Sequence, residues 1–250
     1  MAWHGHVVVH AVWRDWLPTT LTGDRLRPLL GARDWQRLHF MADPQARDRF
    51  VASRLLLKHT VGAVLQTPPD AVELTSKAGG RPYVRGCDQI DVSLSHTEDL
   101  LVVGLNRCGR IGVDTERGDR RIQYSAVERQ LCTPAERRRL FALSEEAQQH
   151  DLVRTWVLKE AYTKALGQGM RMGFAQFGFD LDQLALLTPQ GAPASHGEWS
   201  FGTFELDGGY VVGVACHDAG HGGEGDTAIS TMLDEGFLGE VVDRVGRASH

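Results

Sequence analysis

The stretch from Asp151 to Leu166 constrains the fold more than any other part of the chain. Leu152, Val153, Trp156, Leu158, Ala161, Tyr162, Ala165 and Leu166 recur at the spacing of a single helix. Gly167 and Gly169 follow at the place where helices commonly stop. At 250 residues the chain is long enough to bury such a helix in a substantial core. Trp156, Glu160 and Lys164 stand at i, i+4 and i+8, so they form one row on an otherwise apolar helix. A Glu–Lys pair in that order stabilises a helix by only about 0.2–0.5 kcal/mol. Taken alone, it reads as an ordinary solvated face.

A second acidic pair changes the reading. Leu100 to Leu105 and Arg110 to Glu116 are expected to be two strands of a hairpin, joined by Asn106-Arg107-Cys108-Gly109. On the second strand Ile111 and Val113 point one way, and Gly112, Asp114 and Glu116 the other. The glycine leaves room on that face for something bulky and positive. A lone Asp-x-Glu is usually a solvent-facing edge. Combined with Glu-x-x-x-Lys on a helix, Asp114, Glu116 and Glu160 make a trio suited to a hard cation such as Mg²⁺.

The formal charge of −5 leaves no overall basic footprint for nucleic acid. Cys87, Cys108, Cys132 and Cys216 show no Cys-x-x-Cys spacing and read as reduced thiols. Met1 to His6 lacks the pattern of a signal peptide, and no apolar run reaches membrane-spanning length. The expectation is a soluble cytoplasmic protein. His6 to Trp13 reads as a first strand, with His4, His6 and His10 as a surface row on one face. Leu26 to Met41 has helical spacing. Asp43-Pro44 opens a long helix carrying Arg47, Arg54 and Lys58 as a basic stripe. Ile90 to Ser95 alternates as a half-buried strand ended by His96.

Further along, Thr133-Pro134-Ala135-Glu136 is a capping box. Between Arg117 and Arg139 seven arginines face three acids, a local basic surface that would steer an acidic protein. Gly167 to Gly173 has the wrong spacing for a dinucleotide loop. Trp199 to Leu206 and Tyr210 to Ala215 form a hairpin through Asp207-Gly208-Gly209. His217 to Asp226 reads as a Gly-rich linker, in which the i, i+4 pair His217 and His221 lacks a helix to hold a metal. Thr227 to Val245 has the spacing of an interrupted helix.

Gly112-Val113-Asp114-Thr115-Glu116 and Trp156-Val157-Leu158-Lys159-Glu160-Ala161 resemble the two signature motifs of the Sfp-type 4′-phosphopantetheinyl transferases. Three matches lie in order upstream: Ala52 to Leu56, Gly80-Arg81-Pro82 and Ser93-Leu94-Ser95-His96. Arg81 stands where many relatives have Lys, and Ser93 where Asn is usual. The resemblance covers about residues 10 to 216. It implies an α+β fold of two similar halves with a pseudo-two-fold relation and the active site in the cleft between them. Residues 1–116 would be the half that binds the phosphates of coenzyme A. Residues 117–216 would be the metal and carrier-protein half, and 217–250 a tail.

The resemblance also implies a reaction: transfer of 4′-phosphopantetheine from coenzyme A to a serine of an apo acyl or peptidyl carrier protein. Mg²⁺ would be held by Asp114, Glu116 and Glu160. Arg54, assisted by Lys58, would face the 3′-phosphate, with Arg81, Ser95 and His96 at the other phosphates; Lys164 would stabilise the phosphates or protonate the leaving group, and with Glu160 and His96 makes up the catalytic set. Glu160 is the candidate base, and its base and ligand roles remain unseparated. The working form is expected to be a monomer, without nucleic-acid or membrane partners. A metal-dependent phosphohydrolase would use the same carboxylates. A non-catalytic coenzyme A or carrier-binding module would not need them.

Overall fold

A computed structural model describes residues 5–17, 23–77, 80–107 and 109–218. In chain order the first elements are β1 (His6–Val12), α1 (Gly23–Leu30), α2 (Ala32–Phe40), α3 (Pro44–Leu65), β2 (Leu74–Ser76), β3 (Pro82–Val84), β4 (Asp91–Thr97) and β5 (Leu100–Asn106). There follow β6 (Gly109–Arg117), α4 (Tyr124–Leu131), α5 (Pro134–Phe141), α6 (Glu145–Ala165), β7 (Gly178–Asp180), β8 (Ala185–Leu187), β9 (Trp199–Leu206) and β10 (Tyr210–Asp218). The fold is α+β, as expected. His4, Ala78, Gly79, Cys108, His221 and the helix anticipated at residues 227–245 lie outside the described residues.

Two antiparallel sheets carry the architecture, ordered β1-β5-β4 and β6-β10-β9. β5 and β6 are therefore not a hairpin. Each goes to a different sheet, because β6 finds its backbone partner in β10, with Asp114 opposite Gly213. By pairing, β6 belongs with the C-terminal strands, although it was expected to close the N-terminal half. Leu100 and Val102 of β5 pack against Ile111, Val113, Val212 and Val214, which glues the two sheets together. On the outer face of the first sheet, Leu101, Val103 and Leu105 meet Ala52, Leu56, Leu57 and Val61 of α3. On the outer face of the second, Val211 and Ala215 meet Val157, Leu158 and Ala161 of α6. The order of layers is thus α3, sheet, sheet, α6.

Local chemistry explains the ends of these helices. Asp43 caps α3 by accepting from the amides of Gln45 and Ala46, with Pro44 behind it. The helix anticipated over Leu26–Met41 is two helices, α1 and α2, divided at Gly31, whose φ of +82° only glycine adopts easily. α6 starts at Ser144, whose side chain accepts from the amide of Ala147. It ends in a Schellman arrangement: Gly167 N donates to Lys164 O and Gln168 N to Thr163 O, with Gly167 at φ +73°. The linker expected from residue 217 does not start there, since β10 continues through His217, which is buried against Trp199. No described helix is long and apolar enough to cross a membrane.

Along one edge the two sheets are joined by side chains and not by a backbone ladder. β4 runs beside β6, and its polar residues supply the bonds: Asp91 Oδ2 accepts from Ile111 N, Ser93 Oγ accepts from Val113 N, and Thr97 Oγ1 donates to Thr115 O. This polar seam leads directly to the candidate site.

Candidate active site

From Asp151 to Leu166, only Arg154, Trp156, Glu160 and Lys164 of α6 are not buried. The row read from the sequence is therefore the helix's open stripe. It lies over β6 at very short range. A Cβ added to Gly112 would stand 1.8 Å from Ala161 O, and one added to Gly213 would stand 2.5 Å from Val157 O. Gly112 thus makes room for the backbone of α6, and not for a ligand as its place beside two carboxylates suggested.

This close approach brings Asp114 against Lys164. Lys164 Nζ donates to Asp114 Oδ1 (2.6 Å), Ser95 Oγ (3.0 Å) and Val113 O (3.2 Å), which engages all three of its N–H groups. Ser95 Oγ in turn donates to Asp114 Oδ1 at 2.7 Å. At the other end of the stripe, Arg120 stacks over Trp156 with its guanidinium carbon 5.0 Å from the ring centre, and pairs with Glu116.

Glu160 sits between these two engaged ends. Its carboxylate has no hydrogen bond or ion pair among the described residues. Burial, and then the negative charge of Asp114, push its pKa up, while Lys164 pulls the other way. A half-buried acid without a donor, repelled by a neighbouring acid, is a site short of positive charge. Asp114 and Glu160 therefore suit a hard divalent cation by donor type. The third expected ligand is turned aside: Glu116 accepts from Arg120 and from the amide of Arg117. Among the described residues no three His, Cys, Asp or Glu side chains gather closely enough to hold a metal. The expected trio is thus not assembled here, because Arg120 competes for Glu116.

His96 follows Ser95 at the lip of the seam. Its ring reaches solvent, yet desolvation at its base, followed by Arg49 and Lys164, lowers its pKa against the pull of Asp114, which favours the neutral imidazole. Arg49 forms no ion pair or hydrogen bond among the described residues. It stands off the stripe of Arg47, Arg54 and Lys58, so helical spacing alone did not single it out. Arg54 and Lys58 are elsewhere and are not a solvated stripe. Arg54 is buried, stacked 4.8 Å from the Phe50 ring centre, and its Nε lies 3.0 Å from Asp34 Oδ2 in an ion pair without hydrogen-bond alignment. Burial lowers the pKa of both Arg54 and Lys58. Arg81 points inward to Asp91, Ile111 O and Lys164 O. Lys159, next to Glu160 on α6, is fully buried and paired with Glu136.

Comparison with known proteins shows the family. Residues 110–215 match the model of the 4′-phosphopantetheinyl transferase superfamily. A phosphopantetheinyl transferase of Thraustochytrium sp. is 30% identical over 229 residues, which span 85% of this chain and 78% of the relative. The chain belongs to this superfamily. The transferase is also similar to HetI, a 4′-phosphopantetheinyl transferase of Nostoc sp., at 31% identity over 157 residues and 62% of each chain. To the 4′-phosphopantetheinyl transferase psf-1 of Bacillus pumilus it is 25% identical over 179 residues, 72% of this chain and 74% of the relative. The matched segment contains β6 and α6, so Asp114, Glu160 and Lys164 fall within it.

Proposed function

We propose that the enzyme transfers 4′-phosphopantetheine from coenzyme A to a serine of an apo acyl or peptidyl carrier protein and releases 3′,5′-ADP. The observation that carries this reading is the carboxylate of Glu160, unpaired among the described residues, beside Asp114 and in the open row of Trp156, Glu160 and Lys164. Asp114 and Glu160, joined by Glu116 once it leaves Arg120, are the residues suited to hold Mg²⁺. Such an ion would clamp the diphosphate and neutralise charge on the departing ADP.

The chain's own groups do the rest. Glu160, or a water it orients, is the candidate to receive the proton of the carrier serine as that oxygen bonds to phosphorus; a cation bound beside it would lower its pKa, so its base and ligand roles oppose each other. Lys164 and Ser95 fix the orientation of Asp114 and place a positive charge beside the diphosphate. His96 and Arg49, which has no ion pair among the described residues, would bind phosphate oxygens at the lip. Arg54 and Lys58, buried beside Asp34 of α2, lie apart from this group and are given no phosphate here. The exposed Arg121, Arg129 and Arg138, which form no ion pair among the described residues, offer an acidic carrier its approach. One chain supplies every group named, so a monomer suffices.

The test is incubation with coenzyme A, Mg²⁺ and a panel of apo carriers, followed by intact mass spectrometry of the carriers. Addition of one phosphopantetheinyl group to a serine is expected. Release of phosphopantetheine into water with every carrier unmodified would replace the reading with a hydrolase.

A further inference from the structure

We propose that Arg81 is a positioning residue that fixes the C-terminal turn of α6, and with it Lys164, instead of contacting a phosphate. The inference rests on the transfer reading above. Arg81 stands just before Pro82, the first residue of β3, with its carbonyl accepting from Lys77 N at 2.9 Å and Gly80 at φ +87° behind it. Its guanidinium then divides its donors. Nε and Nη2 pair with the two carboxylate oxygens of Asp91, Nη2 also donates to Ile111 O at 2.6 Å, and Nη1 donates to Lys164 O. Asp91 Oδ2 accepts in addition from Ile111 N at 2.8 Å.

One planar fork thus ties three elements: β4 through Asp91, β6 through Ile111, and the end of α6 through Lys164. A cation at a helix C-terminus is favourable in itself. What matters here is which residue it holds. The carbonyl of Lys164 is bound by Arg81 and by Gly167 N, while the side chain of the same residue orients Asp114. The Arg81 and Asp91 side chains are only 13% and 16% exposed, so the fork faces protein on most sides. Lysine would keep the charge but has a single ammonium. It would lose the planar two-point match of Nε and Nη2 to the Asp91 carboxylate, and with it the fixed direction in which Nη1 meets Lys164 O.

The experiment compares wild type with Arg81→Lys and Asp91→Asn, measuring kcat, KM for coenzyme A, coenzyme A affinity by calorimetry, and amide exchange at residues 164–168. Both variants should lower kcat by about 10²-fold, the cost of a small misplacement. KM and Kd for coenzyme A should stay unchanged, and exchange at residues 164–168 should quicken. Asp91→Asn is the sharper arm, since it breaks the fork without removing the arginine's charge. Wild-type kcat in both variants would overturn the proposal. So would weaker coenzyme A binding in Arg81→Met while kcat holds, which is the signature of a phosphate ligand. If the wild-type protein modifies no carrier, the transfer reading fails, and unchanged exchange at residues 164–168 in the two variants would separately overturn the fork.

Discussion

Lys159 and Glu160 are neighbours on α6, and their surroundings are opposites. Lys159 Nζ is buried with four acceptors: Glu136 Oε2 (2.7 Å), Phe174 O (2.7 Å), Leu131 O (2.8 Å) and Phe177 O (2.8 Å). Glu136 is equally occupied. It completes the capping box with Thr133 and also accepts from Phe179 N at 2.9 Å. Burial lowers the pKa of Lys159, and the adjacent glutamate opposes that shift. One residue further along, the Glu160 carboxylate has no donor among the described residues and a second acid beside it. A saturated buried charge welds the helix to its surroundings. An undersupplied one is where a ligand gains the most by binding. The lesson is that charge on a helix marks chemistry only where its partners are lacking.

The largest effect should come from the undersupplied side. Asp114→Ala or Glu160→Gln should reduce carrier modification by about 10²–10⁴-fold, read by mass spectrometry at fixed time. Glu160→Gln should also melt at or above the wild-type temperature, because it removes a charge that burial and Asp114 disfavour. On the saturated side, Lys159→Met should cost about 3–5 kcal/mol of folding stability by urea titration, since it leaves the buried Glu136 charged without its cation. Adding Glu136→Gln should recover part of that loss. A silent Lys159→Met would erase the contrast.

The smaller effects refine it. Gly112→Ala should cost about 1–3 kcal/mol through overpacking against Ala161 O; full stability in this variant would show that the strand and helix are further apart than described. Least of all, Arg121→Glu with Arg138→Glu should slow association with an acidic carrier a few-fold. Stopped-flow binding at low and high salt checks this, and the difference should vanish at high salt.

Much of this was legible from local pattern. The α6 row, the Asp43 cap, the Thr133–Glu136 capping box and the β9–β10 hairpin are set by residues a few positions apart. The partner of β6 was not, because β5 and β10 both offer apolar strands and only packing across the whole chain decides between them. Asp91, Ser93 and Thr97 alternate as a solvated strand face would, yet they bond the backbone of β6. Arg54 and Lys58 looked like a surface stripe because helical spacing gives direction and not burial. What covers them includes Asp34 on another helix. In the site itself, identities could be read from residue type, but the diversion of Glu116 to Arg120 depends on how the loop after β6 folds back.

The most direct test sets Glu160→Gln beside Lys159→Met, with thermal unfolding and carrier modification measured on the same preparations. The account predicts that Glu160→Gln unfolds no earlier than wild type and transfers almost nothing, whereas Lys159→Met unfolds well below it. Wild-type transfer by Glu160→Gln would contradict the account.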